Sequence, residues 1–154
     1  MGSVFLQLLI NGLVAGSIYS LVATGFSLIY STNKFVHFAH GGVIAMSAYF
    51  LYWLFAKVGI DFYFAAFLTV LFSSMLGLLL YEIIYSPLRK RNASNSILLI
   101  ASIGILTLLE SLILLFFGAD IKTVQFIEIK QGINILGAFI TPLQLFIVAT
   151  SAGL

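Results

Sequence analysis

Lys34-Phe35-Val36-His37-Phe38-Ala39-His40-Gly41-Gly42 lies between two long apolar runs, Val4 to Tyr30 and Phe38 to Ala56, and holds both histidines of the chain. Two aromatic rings, two histidines and a diglycine so close together are more than a solvated loop requires. The stretch reads as a bend where the backbone leaves one membrane helix and enters the next.

Composition sets the solvent. Of 154 residues, 62% are hydrophobic and 8% charged, whereas a water-soluble domain carries about 25% charged residues. Such a chain cannot clothe a water-facing surface, so lipid must surround most of it. The net charge of +2 is too small to indicate nucleic acid, and the lack of cysteine excludes disulfides, thiolate metal sites and thiol nucleophiles. The start, Met1-Gly2-Ser3-Val4, has no basic segment of the kind that opens a secretory signal. Leu6 stands where myristoylation wants Ser or Thr. The first apolar run is therefore expected to be kept as a membrane span.

A span needs about 20 apolar residues. Candidates run from Val4 to Tyr30, Phe38 to Ala56, Phe62 to Tyr85 and Ser96 to Phe117, with a fifth opening near Pro142 and still apolar at Leu154. The predicted fold is an all-α polytopic transmembrane bundle of about five spans, the last incomplete. The whole chain, 1–154, is expected to be one transmembrane domain from the amino-terminal part of something longer. Asp61 is placed to cap the third helix, Pro87 to stop it, Asn95 or Ser96 to cap the fourth, and Gly118 to close it. Thr141-Pro142-Leu143-Gln144 has the form of a start for the fifth. Between Gly118 and Thr141 the alternation in Thr123 to Lys130 predicts a short external hairpin, pairing with Ile133 to Phe139 across Gln131-Gly132.

Arg89, Lys90 and Arg91 form the one basic cluster. The positive-inside rule puts that loop in the cytoplasm. Counting spans back from it puts the histidine–glycine bend on the same side.

Several constellations could carry function. Gly12, Gly16, Ser20 and Thr24 recur every four residues on the first helix, a small-residue stripe that lets another backbone approach closely. It serves either packing within the chain or a face toward a second membrane subunit. Asn11 is polar beside it, able to hydrogen-bond across helices or to reach the headgroups. His37 and His40 are spaced to share a helix face, either pinning the bend by donating to carbonyls near Gly41-Gly42 or contacting a proton or substrate. No nearby carboxylate or cysteine completes a metal site around them. Glu82 can reach the interface and pair with Arg89 or Lys90. Glu110 lies inside the fourth span, where a carboxylate normally faces the bundle interior. With Ser102, Thr107 and Ser111 it gives that helix a polar side, a candidate path wall. No hydrolase, phosphate-loop or dinucleotide motif is present.

Leu9-Ile10-Asn11-Gly12-Leu13-Val14-Ala15-Gly16-Ser17-Ile18-Tyr19-Ser20-Leu21, then Gly25 to Tyr30 and Val36-His37-Phe38-Ala39-His40-Gly41, resemble the permease subunit of branched-chain amino acid ABC importers, specifically the first of the two paired inner-membrane permeases. That family has an Asn-Phe-Ala-His-Gly pattern at the bend, matched here at Phe38, Ala39, His40 and Gly41. His37 stands where asparagine is usual, and Gly42 replaces an acidic residue. Pro87-Leu88-Arg89 and Leu99-Ile100-Ala101-Ser102-Ile103-Gly104 are also similar. The resemblance implies a multi-pass bacterial inner-membrane protein, not itself an enzyme. Its implied partners are a second homologous permease, two cytoplasmic ATPases that bind the ATP, and an external substrate-binding protein. The chain itself is expected to hold no cofactor and no metal. Relatives carry urea or short amides, which leaves that substrate class open. A small channel or assembly subunit uncoupled from ATP and an intramembrane enzyme are the readings from other classes. The residues expected to matter are Gly12, Gly16 and Ser20 for packing, His37, His40 and Gly41 at the bend, and Asn11, Ser102, Gly104 and Glu110 along the path.

Overall fold

Apolar runs of this length have one way to satisfy their backbone in lipid, which is to bond it internally as helix. The computed structural model bears this out, and it describes residues 2–120, 122, 133–135, 138–140 and 142–153. Helix α1 is Gly2–Asn33 and α2 is Ala39–Tyr52, which ends in a π-helical turn at Trp53–Val58. Helix α3, Phe62–Leu80, runs through a second π-helical turn, Tyr81–Tyr85, into the short α4, Ser86–Lys90. Helix α5 is Asn95–Phe117, strands β1 and β2 are Ile133–Ile135 and Ala138–Ile140, and α6 is Pro142–Ala152. Four of these stretches are long and apolar enough to cross a bilayer: Val4–Asn33, Ala39–Val58, Phe62–Lys90 and Asn95–Phe117. Helix α6 opens at the predicted proline, but its 11 residues fall short of a span.

The chain divides into two compact units, Met1–Ile29 with Ile127–Leu154, and Tyr30–Phe126. The first holds most of α1, the β1–β2 pair and α6. Its strands are antiparallel, with Ile133 opposite Ile140, Asn134 opposite Phe139 and Ile135 opposite Ala138. Ile133 to Phe139 therefore does not form the single return arm expected to pair across Gln131-Gly132. It is divided between two strands that pair with each other. The other predicted arm, 123–130, and Thr141 lie outside the described residues.

In the second unit, α2 packs most extensively on α5 and next on α3. The face that α5 buries is Leu98, Ser102, Ile105, Leu109 and Ile113, a stripe at three- and four-residue spacing. Leu98, Ile105 and Leu109 form the core with Phe35, Ala39 and Tyr85. Phe50 stacks on Phe72 with ring centroids 4.1 Å apart, tying α2 to α3. Many large side chains point outward, Leu78, Ile100 and Leu115 among them. In lipid they lose nothing by that exposure, so packing is what holds the helices together.

Local chemistry explains most boundaries, and two of the expected ones move. Asp61 caps α3 through Oδ1, which accepts the Tyr63 N–H at 3.0 Å. Gly118 closes α5 at φ 75°, its N–H donating to the Leu114 carbonyl at 2.9 Å. Pro87, however, does not stop the third span, which continues to Lys90. The π-helical turn ahead of it ends with the Ser86 N–H donating to the Tyr81 carbonyl. Pro87 then falls in the first turn of α4, where a missing N–H costs nothing. Nor do Asn95 or Ser96 cap α5. Ser94 holds that position without a side-chain bond, and Asn95, already helical, turns its amide to the Lys34 carbonyl.

Candidate functional site

The bend is a clamp between helix ends. Helix α1 closes with the Lys34 N–H donating to the Tyr30 carbonyl at 2.8 Å, and Lys34 itself sits at φ 61°. That left-handed conformation is the usual place of glycine after a helix. It costs a side-chain-bearing residue about 1 kcal/mol. Lys34→Gly should therefore raise thermal stability in detergent by about 1 kcal/mol, read as an upward shift of the unfolding curve.

Two amides and a guanidinium hold this corner to the α4–α5 loop. Arg89 Nη2 donates to both the Asn33 carbonyl at 3.2 Å and the Asn33 side-chain oxygen at 2.8 Å. Asn95 Nδ2 donates to the Lys34 carbonyl at 3.3 Å. Arg89 thus bonds an amide across the corner, and among the described residues Glu82 forms no ion pair with it. The histidine–glycine bend and the basic loop consequently meet at one end of the bundle, as the charge pattern predicted.

Ser102 sets the inner wall of the bend. Fully buried, its hydroxyl accepts the Phe38 N–H at 3.3 Å and donates to the Leu99 carbonyl at 2.8 Å, with the Val36 carbonyl 3.4 Å away. One side chain on α5 thereby positions the last non-helical residues before α2.

His37 turns into an aromatic cluster. Its ring meets Tyr85 at 4.8 Å and Phe35 edge-on at 5.7 Å, and Phe35 lies 5.7 Å from Tyr85. Burial, with a smaller contribution from the charge of His40, holds the His37 pKa below the ordinary imidazole value, so the neutral ring is favoured. The expected donation from His37 to carbonyls near Gly41-Gly42 is absent. His37 Nδ1 and the Tyr85 hydroxyl are both buried without a hydrogen-bond partner among the described residues. An unpaired buried hydroxyl is a cost. Tyr85→Phe keeps the ring packing and should stabilise the protein by about 1 kcal/mol. A fall in melting temperature would show that the hydroxyl is bonded in the membrane.

The two adjacent glycines differ. Both lie inside α2, so the corner itself is Lys34 to Phe38. A Cβ on Gly41 would meet nothing within 4 Å, whereas one on Gly42 would meet Leu109 Cδ1 at 3.0 Å and Leu106 Cδ1 at 3.3 Å. Gly42, not Gly41, is where α2 and α5 approach. His40 is half-buried in the first turn of α2.

Among the described residues, nothing packs against the two glycines of the stripe on α1. A Cβ built on Gly12 or Gly16 meets no atom within 4 Å, and Ser20 is exposed. Asn11 Oδ1 accepts from Gln7 Nε2 at 3.2 Å, a bond one turn back on the same helix. The residues expected along α5 separate. Ser102 belongs to the buried face, while Gly104, Thr107 and Ser111 line an open groove of about 540 Å³ with Leu108, Leu112 and Leu115. Both groove hydroxyls donate to backbone carbonyls, Thr107 to Gly104 at 2.9 Å and Ser111 to Thr107 at 2.7 Å. Glu110 is exposed and does not line that groove.

Asn33 and Tyr85 build the site and are not singled out by pattern, while Asn95 reads only as a helix cap and Gly42 only as half of the diglycine. For Asn33 a signal exists, since a polar amide sits where an apolar span meets a bend. Nothing local marks Tyr85.

Residues 8–154 match the family described as branched-chain amino acid transport system / permease component. The high-affinity branched-chain amino acid transport system permease protein BraD of Pseudomonas aeruginosa is 34% identical over 119 residues, covering 72% of this chain and 38% of that protein. The LivH permease proteins of the same description from Salmonella typhimurium and Escherichia coli are each 31% identical over 123 residues, covering 75% of this chain and 39% of theirs. The match thus spans well under half the length of these relatives. No solved structure matches the chain.

Proposed function

Since the chain belongs to the branched-chain amino acid transport permease family, we propose that it forms part of the membrane-embedded permease of an ATP-driven importer for branched-chain amino acids. In this reading it builds the translocation path with a homologous permease in the bacterial inner membrane. Two cytoplasmic ATPases bind and hydrolyse ATP, and an external binding protein delivers the solute. The chain carries no chemistry of its own and is not an enzyme.

One observation carries the reading: the helices are locked together at the bend while two polar or small-residue faces stay open. The Gly104, Thr107 and Ser111 groove looks away from the packed face of α5. Its hydroxyl oxygens keep acceptor capacity after donating to the backbone, which suits a wall that a solute ammonium or water can pass. The Gly12 and Gly16 stripe suits close approach of a second permease helix. His37, by contrast, is engaged with Phe35 and Tyr85, so its departure from asparagine reads as bend packing and leaves the substrate class as it is in relatives.

Gly104→Leu tests the groove, because nothing lies within 4 Å of a Cβ at that position. Expressed with its partner subunits in cells, the variant should reach normal membrane levels and lose leucine uptake. Normal uptake would remove α5 from the path. Competition by excess urea or acetamide, with none by isoleucine, would move the substrate to small amides. Uptake that persists without the ATPase subunits would establish an uncoupled channel instead.

A further inference from the structure

At the end of the bundle far from the bend, Tyr52, Trp53, Lys57, Phe116, Phe117 and Lys122 enclose a cleft of about 290 Å³. We infer that this cleft, outside the groove and the bend, seats the headgroup of an anionic phospholipid, its phosphate between the Lys57 and Lys122 ammonium groups and its acyl chains against Trp53 and Phe116. Its level follows from helix length: the 23 residues of α5 rise about 35 Å, slightly more than the hydrocarbon thickness, so with the bend at one interface this end reaches the other. Aromatic rings concentrate at that depth, where one edge is wet and one apolar.

The cleft is built rather than incidental. Tyr49 packs on Phe117 at 5.0 Å and Phe50 on Trp53 at 6.0 Å, which fixes the walls contributed by α2 and α5. Two cations come from separate segments, the π-helical turn after α2 and the chain after α5. Lys122 Nζ lies 3.4 Å from Asp120, while among the described residues Lys57 forms no ion pair. Among the described residues, two ammonium groups and one carboxylate leave a single positive charge, matched to one phosphodiester. Trp53 is 45% exposed and Phe116 72%. A small soluble anion would leave that aromatic skirt uncovered, and a lipid covers it. A choline headgroup would set its own cation beside the lysines, so anionic lipid is preferred.

Native mass spectrometry on the full chain, purified in detergent, tests this with dioleoylphosphatidylglycerol and dioleoylphosphatidylcholine as probes. The phosphatidylglycerol adduct should be retained over phosphatidylcholine by roughly fivefold per engaged lysine. Lys57→Gln with Lys122→Gln should erase the preference. The corresponding double arginine variant should keep it, which separates loss of charge from loss of fold. Lys34→Gln, at the opposite end, should leave it intact. Equal retention of the two lipids, or a preference that survives the double glutamine variant, overturns the assignment. Displacement of the lipid by equimolar glycerol 3-phosphate would identify a site for free phosphate and overturn the lipid commitment as well.

Discussion

Gly42→Leu should lower stability by about 3 kcal/mol, at the upper end of what overpacking a closed contact costs, and should split α2 from α5. The reason is distance. A Cβ at Gly42 already meets Leu109 Cβ at 3.3 Å and Leu109 Cδ1 at 3.0 Å, and Leu109 is itself only 2% exposed. Leu109 therefore has little room to yield, and a whole isobutyl group cannot be absorbed by a rotamer change. Gly42→Ala should cost about 1 kcal/mol for the same reason on a smaller scale. The neighbouring residue supplies the control. Gly41 is equally helical but faces open space, so Gly41→Ala should gain about 0.5 kcal/mol from helix propensity. Thermal unfolding in detergent distinguishes the two positions by sign. Equal effects at both would mean that α2 and α5 do not approach closely at Gly42.

Ser102→Ala should cost about 2 kcal/mol, because it leaves the Phe38 N–H without its partner in a closed site. The hydroxyl is fully buried and also bonds the Leu99 carbonyl at 2.8 Å. Hydrogen exchange gives the sharper readout, since the Phe38 amide should lose protection while amides in the middle of α3 keep theirs. Ser111→Ala, on the open face of the same helix, removes a hydroxyl bonded to its own turn and should change stability by less than about 0.5 kcal/mol. Should Ser102→Ala leave Phe38 exchange unchanged, the bend is held by Arg89 and Asn95 without the serine.

Much of the architecture is readable in the sequence. The four spans, the Asp61 cap and the Gly118 stop follow from hydropathy and cap chemistry, which act within a few residues of chain. The Pro87 stop failed for a definable reason, as the π-helical turn at Tyr81–Tyr85 resets the bonding ladder just before the proline. The Asn95 cap failed because α5 starts one residue early, with Ser94 at the cap position and Asn95 already helical, its amide turned to the Lys34 carbonyl. Of the polar residues on α5, Ser102 was grouped with Thr107 and Glu110, yet it lies on the buried stripe and Thr107 on the open groove.

From sequence alone came the lipid environment, the order of the spans, the place of the bend and its sharing of one end with the basic loop. Tertiary structure alone decided which of the small residues are packed, which hydroxyl holds the corner, and that His37 packs edge-on against Tyr85. In water a buried face announces itself by being apolar against a polar one. In a bilayer both faces of a span are apolar, so a glycine touching leucine and a glycine touching lipid read alike until the neighbouring helix is in place.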